Sequence, residues 1–237
     1  MYQKHILTLT FVITAVLYSF AQNSTEFNTA ALRKAVQDTT SPEGYQALLK
    51  KFNETPQYLY ANEGAIIYYA KLFQKGPDQF QRVAAKKTFN ELMLQKKFDE
   101  AIIEGERLAK INPVDLKLLV MLMAAYIETK REAEINLTKA KLQLLSNAIL
   151  SKGHGNTDAT TLKVTSVEDE YTIMAMLKLN GKSRRSESRN NSNIDHWTIV
   201  KKYYSPRWGF IEDKNGQSED KESSLFVEVL RAPNPGY

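Results

Sequence analysis

Three consecutive amphipathic stretches between residues 89 and 153 constrain the fold more than any other part of the chain. The middle one places Leu116, Leu119, Val120, Met123, Tyr126 and Ile127 on one helical face. The stretch before it opens at Phe98-Asp99-Glu100-Ala101 and runs to Ile111. Asn112-Pro113 ends it, because proline disfavours helix in the residue ahead and cannot donate to one. The stretch after it carries Leu137, Ala140, Leu144, Leu145, Ala148 and Ile149 as its stripe and closes at Lys152-Gly153. Together they predict helical hairpins packed side by side. Phe98, Ala101 and Pro113 also fall at tetratricopeptide spacing, so a divergent tetratricopeptide-like array is one form these hairpins can take.

Upstream, three shorter helices are expected. One includes Phe27, Leu32 and Val36, one starts from Ser41-Pro42-Glu43 and ends before Thr55-Pro56, and one covers Asn62 to Phe73. Lys4 and His5 precede an apolar run from Ile6 to Phe20, and Ser19 and Ala21 put small residues at the -3 and -1 positions of a cut. That pattern predicts a secretory signal peptide over residues 1–21, too short for a comfortable membrane span. Residues 22–153 then form a helical region and 154–237 a small α+β region packed on it as one domain, exported to the periplasm or beyond. No later run reaches the length of a transmembrane helix.

Downstream of Gly153 the text changes. Leu162-Lys163-Val164 reads as a short strand. Residues 167–180 read two ways. Ser166 with Asp169 three residues on, and Gly181 beyond, favour a capped helix. The alternation of Tyr171, Ile173, Ala175, Leu177 and Leu179 equally suits a strand. Lys182 to Asp195 is a polar stretch rich in serine, asparagine and arginine, expected as a solvated loop. Three strand candidates follow, at His196–Tyr203, Trp208–Glu212 and Leu225–Arg231. The fold class expected is therefore α+β, with helical hairpins closed by a small antiparallel sheet.

Several chemistries are excluded or left without support. The chain has no cysteine, which removes disulfides, thiol catalysis and thiolate zinc sites. The formal charge of +5 is spread among neighbouring acids and not gathered on one face, so nucleic acid is not an expected partner. The sequence contains no phosphate-loop, dinucleotide or nucleophile-elbow motif and implies no cofactor. Glu100, Glu104 and Glu106 read as a solvated helix face. Gly153-His154-Gly155 reads first as a helix stop. His154, Asp158, Asp195 and His196 would supply a metal site only if the loop folded over the sheet. Tyrosine and tryptophan are plentiful, and Tyr68, Tyr69, Trp197 and Trp208 are candidates for a ligand or partner surface. The leading expectation is a non-catalytic exported module that binds another envelope protein. A metal-dependent hydrolase and a glycan-binding protein are the alternatives.

Five phrases occur in order: SPEGYQALLKKF, IIYYAKLFQ, INPVDLKLLVML with Ala125-Tyr126, AILSKGHGNT, and KVTSVEDEY. Together they resemble the exported bacterial family known as domain of unknown function 4919, found mainly in Bacteroidetes, over residues 27 to 231. Tyr68-Tyr69 matches a tyrosine pair of that family. His154 stands where similar proteins carry an acidic residue between glycines. The resemblance implies the fold and export, and offers no mechanism.

Overall fold

The computed structural model describes residues 28–74, 79–189, 192–201 and 221–231. The expected leader at 1–21, the strand expected at Trp208–Glu212, and Tyr203, Tyr204 and Trp208 lie outside the described residues. Helices come first: α1 (Thr29–Gln37), α2 (Tyr45–Glu54), α3 (Ala61–Tyr69), α4 (Gln79–Leu94), α5 (Phe98–Ile111), α6 (Leu116–Glu128) and α7 (Glu132–Leu150). Then follow β1 (Leu162–Val164), α8 (Val167–Met176), β2 (Asn180–Arg189), β3 (Ser192–Lys201) and β4 (Lys221–Leu230). The α+β class with helices leading is as the sequence implied.

Local chemistry explains most boundaries. Asn28 caps α1 by accepting from the Ala31 amide, and Asp115 caps α6 by accepting from the Leu118 amide. The second helix starts at Tyr45, three residues beyond the expected Pro42 start. Asp38 takes the amides of Thr40 and Ser41, and the Ser41 hydroxyl takes that of Glu43, so this segment is a turn. Helices α4, α6 and α8 all end on lysines with positive φ: Lys96 at 58°, Lys130 at 58° and Lys178 at 52°. Each is followed by an amide that reaches back to the last turn, as Arg131 N does to Tyr126 O at 2.9 Å. Gly153 does another job: a Cβ there would strike the carbonyl of Thr161, so glycine permits the close backbone approach that brings β1 under α7.

Two apolar clusters form. The larger runs from Leu48, Phe52, Tyr68 and Tyr69 through Leu145 and Ile149 to Leu162, Ile173, Trp197, Ile199 and Val227, so the helical region and the sheet share it. The smaller unites Phe89, Ile102, Leu108, Leu118, Leu122, Ala125 and Tyr126 of α4, α5 and α6. Helix α6 belongs to both. Leu116 and Leu119 face one cluster and Leu118 and Leu122 the other, so the single stripe read from the sequence was one of two buried faces. Ile127, assigned to that stripe, is 53% exposed.

The sheet order is β1-β4-β3-β2. Against the small antiparallel sheet expected, the sheet is mixed: the ladders β2–β3 and β3–β4 are antiparallel, while β1 joins β4 in parallel. Of the stretch 182–195 expected as a solvated loop, residues 182–189 belong to β2 and 192–195 to β3. All ten residues of β2 are exposed, and none is apolar. The ladder to β3 pairs the half of its backbone groups that face β3, and the other half are open to solvent, so its strand form needs no buried side chain. Asp195, Trp197 and Ile199 alternate toward the helices, leaving Ile194 and His196 on the other face.

Candidate functional site

The helix-or-strand segment resolves as helix α8, because Ser166 accepts from the Asp169 amide at 3.0 Å and starts it. Its first turn carries Glu168, Asp169 and Glu170. A helix rotates by about 100° per residue, so three successive carboxylates must point at three different walls. They do, and the result is a polar centre that joins α8 to three neighbours.

Glu168 points at α4 and α6. Its oxygens lie 2.6 Å from Lys86 Nζ and 3.3 Å from Lys117 Nζ, and Lys86 is also 2.6 Å from Asp115. Burial pushes the Glu168 carboxyl up, but Lys86 and Lys117 outweigh it and hold it below its ordinary value. Burial likewise disfavours the Lys86 ammonium, and Asp115 with Glu168 more than restores it.

Asp169 points at α3 and is 3% exposed. Its Oδ2 accepts from Tyr68 Oη at 2.9 Å, Lys71 Nζ at 2.7 Å and Thr165 Oγ1 at 2.9 Å. Burial raises its pKa, and Lys71, Thr165 and Tyr68 together reverse the sign, keeping it ionised. Tyr68 is pushed well above the usual phenol value by burial and by the Asp169 charge. Tyr69 stacks edge-on against Tyr68, donates to the Lys163 carbonyl at 2.9 Å, and is raised by the same causes.

Glu170 points at the sheet and is fully buried. Its Oε1 accepts from Trp197 Nε1 at 2.7 Å, while Oε2 has no hydrogen-bond donor among the described residues. Burial pushes this carboxyl up to about 7. The neighbouring Asp195 pushes the same way, against the Trp197 bond and Arg184. Protonated, Oε2 turns from an unmet acceptor into a donor, and Asp195 is the acceptor beside it. Asp195 also takes the Ser186 hydroxyl and lies 3.4 Å from Arg184. The Arg184 guanidinium sits over the rings of Trp197 at 5.5 Å and Tyr171 at 5.9 Å. A Cβ on Gly181 would come within 2.6 Å of the Trp197 ring, so glycine lets the indole lie under β2.

The sequence candidates are placed differently from the expectation. Tyr68 and Tyr69 are completely buried and Trp197 is 8% exposed, so none presents a ligand surface. The phrases that suggested a surface hold the core, because a buried tyrosine needs a partner for its hydroxyl and α8 supplies one. The exposed tyrosines among the described residues are Tyr58 and Tyr60, at 76% each, and Tyr171, at 49%. Of the four metal candidates, Asp195 and His196 are adjacent strand residues and face opposite ways. His154 lines a crevice of about 10 Å3 among Leu162, Leu177 and Ile199. Asp158 and His196 border a groove of about 190 Å3 on the sheet's other face. The four do not come together, and no group of three histidine or acidic side chains suited to a metal occurs among the described residues. Sequence reasoning missed Glu170, Lys71 and Lys86. The Glu168-Asp169-Glu170 run just after a cap was the available signal.

Each of these groups is spent on holding α8 to α3, to α4 with α6, and to the sheet. The centre therefore works as a polar staple. No curated protein and no solved structure matches the chain. The model of the family described as Domain of unknown function (DUF4919) matches residues 30–203, the span that holds both Tyr68-Tyr69 and the α8 carboxylates, and the chain belongs to that family.

Proposed function

We propose that the protein is an exported, non-catalytic module that binds another protein of the cell envelope, and that it does so along β2. One observation carries the reading: β2 is a ten-residue strand, exposed along its whole length, at the edge of the sheet, and no described strand pairs with its outer side. An open edge offers a row of unspent amides and carbonyls, the usual means by which a sheet recruits an extended segment. Export is supported by the charged start and apolar run of residues 4–20. The helical hairpins, in this reading, are the rigid body that holds the edge. The test is a photo-cross-linking amino acid placed at Ser183 in β2, with Glu100 on the exposed face of α5 as the control position, in the native host. A reproducible single adduct from Ser183 and none from Glu100 is expected. Equal or absent labelling at both positions overturns the reading.

A further inference from the structure

The charged side chains of β2 are mostly cationic. Its ten residues include Lys182, Arg184, Arg185 and Arg189 against one acid, Glu187. Three of these cations are engaged within the fold: Lys182 with Glu222, Arg184 with Asp195, and Arg189 with Asp158 and Glu187. Arg185 has no carboxylate partner among the described residues. Its Nη2 lies 3.3 Å from His196 Nδ1, and the imidazole is braced against Phe226 with ring centres 3.8 Å apart. Arg185, His196, Phe226 and Ile194 line the groove of about 190 Å3, on the sheet face turned away from the helices, and Arg189 with its two paired acids, Asp158 and Glu187, completes the lining.

We infer that β2 receives an extended acidic peptide segment by strand addition, with a carboxylate of that segment seated on Arg185 in the groove beside His196 and Phe226. This rests on the binding reading above and adds the identity of the ligand class. Side chains of an added strand alternate between the two faces of the sheet, so carboxylates at every second position lie on the Arg185 face. The same charges oppose the commonest misuse of an open edge. A second copy of β2 would bring like charges into register, whereas an acidic strand would not.

The test uses the full mature chain and three fluorescently labelled ten-residue peptides: alternating Glu-Val, alternating Lys-Val, and the Glu-Val peptide N-methylated at every residue, so that neither edge can donate to β2. Fluorescence anisotropy should give binding of the Glu-Val peptide that weakens as salt is raised, with neither of the others binding. Hydrogen exchange should slow at the β2 amides when that peptide is present. Arg185→Gln should weaken binding by about two- to fivefold, the effect of one exposed ion pair, while leaving the circular dichroism melt unchanged. Equal binding of the Lys-Val or N-methylated peptide, or no binding of Glu-Val, overturns the inference. A Ser183 cross-link to an envelope protein in the face of failed Glu-Val binding would leave the protein-binding reading standing and remove only the acidic-strand partner.

Discussion

Glu170 is the carboxyl group, among the described residues, whose ionisation the fold resists most. Its carboxyl moves from 4.5 to about 7 on folding, chiefly through burial. An acid with a raised folded pKa binds more protons folded than unfolded, so stability falls as pH climbs between those two values and is level above the upper one. At roughly 1.4 kcal/mol per unit the loss is on the order of 3 kcal/mol. Asp169, Glu168 and Glu228 have lowered values and act with the opposite sign, costing stability as pH falls below the ordinary carboxylate range. The urea midpoint should therefore peak near pH 4.5–5, the point where the Glu170 window opens. Glu170→Gln keeps an acceptor for Trp197 and a donor for Asp195. It should flatten the decline between pH 5 and 7 and stabilise the protein at pH 8 by about 1–3 kcal/mol. An unchanged decline would reject a proton shared between Glu170 and Asp195. None of this was legible in the sequence. Asp195 and Trp197 stood out there by residue type, whereas Glu170 reads as one more acid in a helix's first turn.

At the scale of the element, the readable features were those with a local cause. Ser166 and its partner Asp169 are three residues apart, and so decided helix over strand for α8 even though its apolar residues alternate. The fate of β2 had no local cause. Its strand form depends on pairing Arg185 with His196 and Arg184 with Trp197, and nothing in a polar stretch encodes that. Helix α6 was half legible, because a periodicity argument picks one stripe and a helix between two clusters has two. The three left-handed lysines are a further departure, since glycine is the usual residue there. Lys130→Gly relieves the strained backbone at the α6–α7 turn and should raise stability by about 0.5–1 kcal/mol in chemical denaturation. A loss of stability would mean that the Lys130 charge, near the C-terminal end of the α6 dipole, outweighs the strain.

For the whole molecule, class and order of elements followed from patterning, and the family followed from five ordered phrases. How the two regions meet did not follow. Tyr68 and Asp169 are 101 residues apart in sequence, and no spacing rule reaches that far. The shared cluster makes the regions interdependent: Tyr69, Ile149, Leu162, Ile199 and Val227 are all fully buried, and they come from both. A fragment comprising residues 22–153 should therefore lack near-ultraviolet circular dichroism of native strength and melt without cooperativity, while a chain of residues 22–237 unfolds in a single transition by fluorescence and by far-ultraviolet dichroism. A sharply melting fragment would assign the helical region its own stability.

The staple at α8 also sets a clock. Ribosomes add about 5–20 residues per second, so the phenol of Tyr68 and the ammonium of Lys71 exist for on the order of ten seconds before the carboxylate that receives them is made. Throughout that interval the nascent N-terminal part holds polar groups destined for burial and has nothing to bury them against. Completion of the fold must wait for the arrival of the Ser166–Glu170 turn.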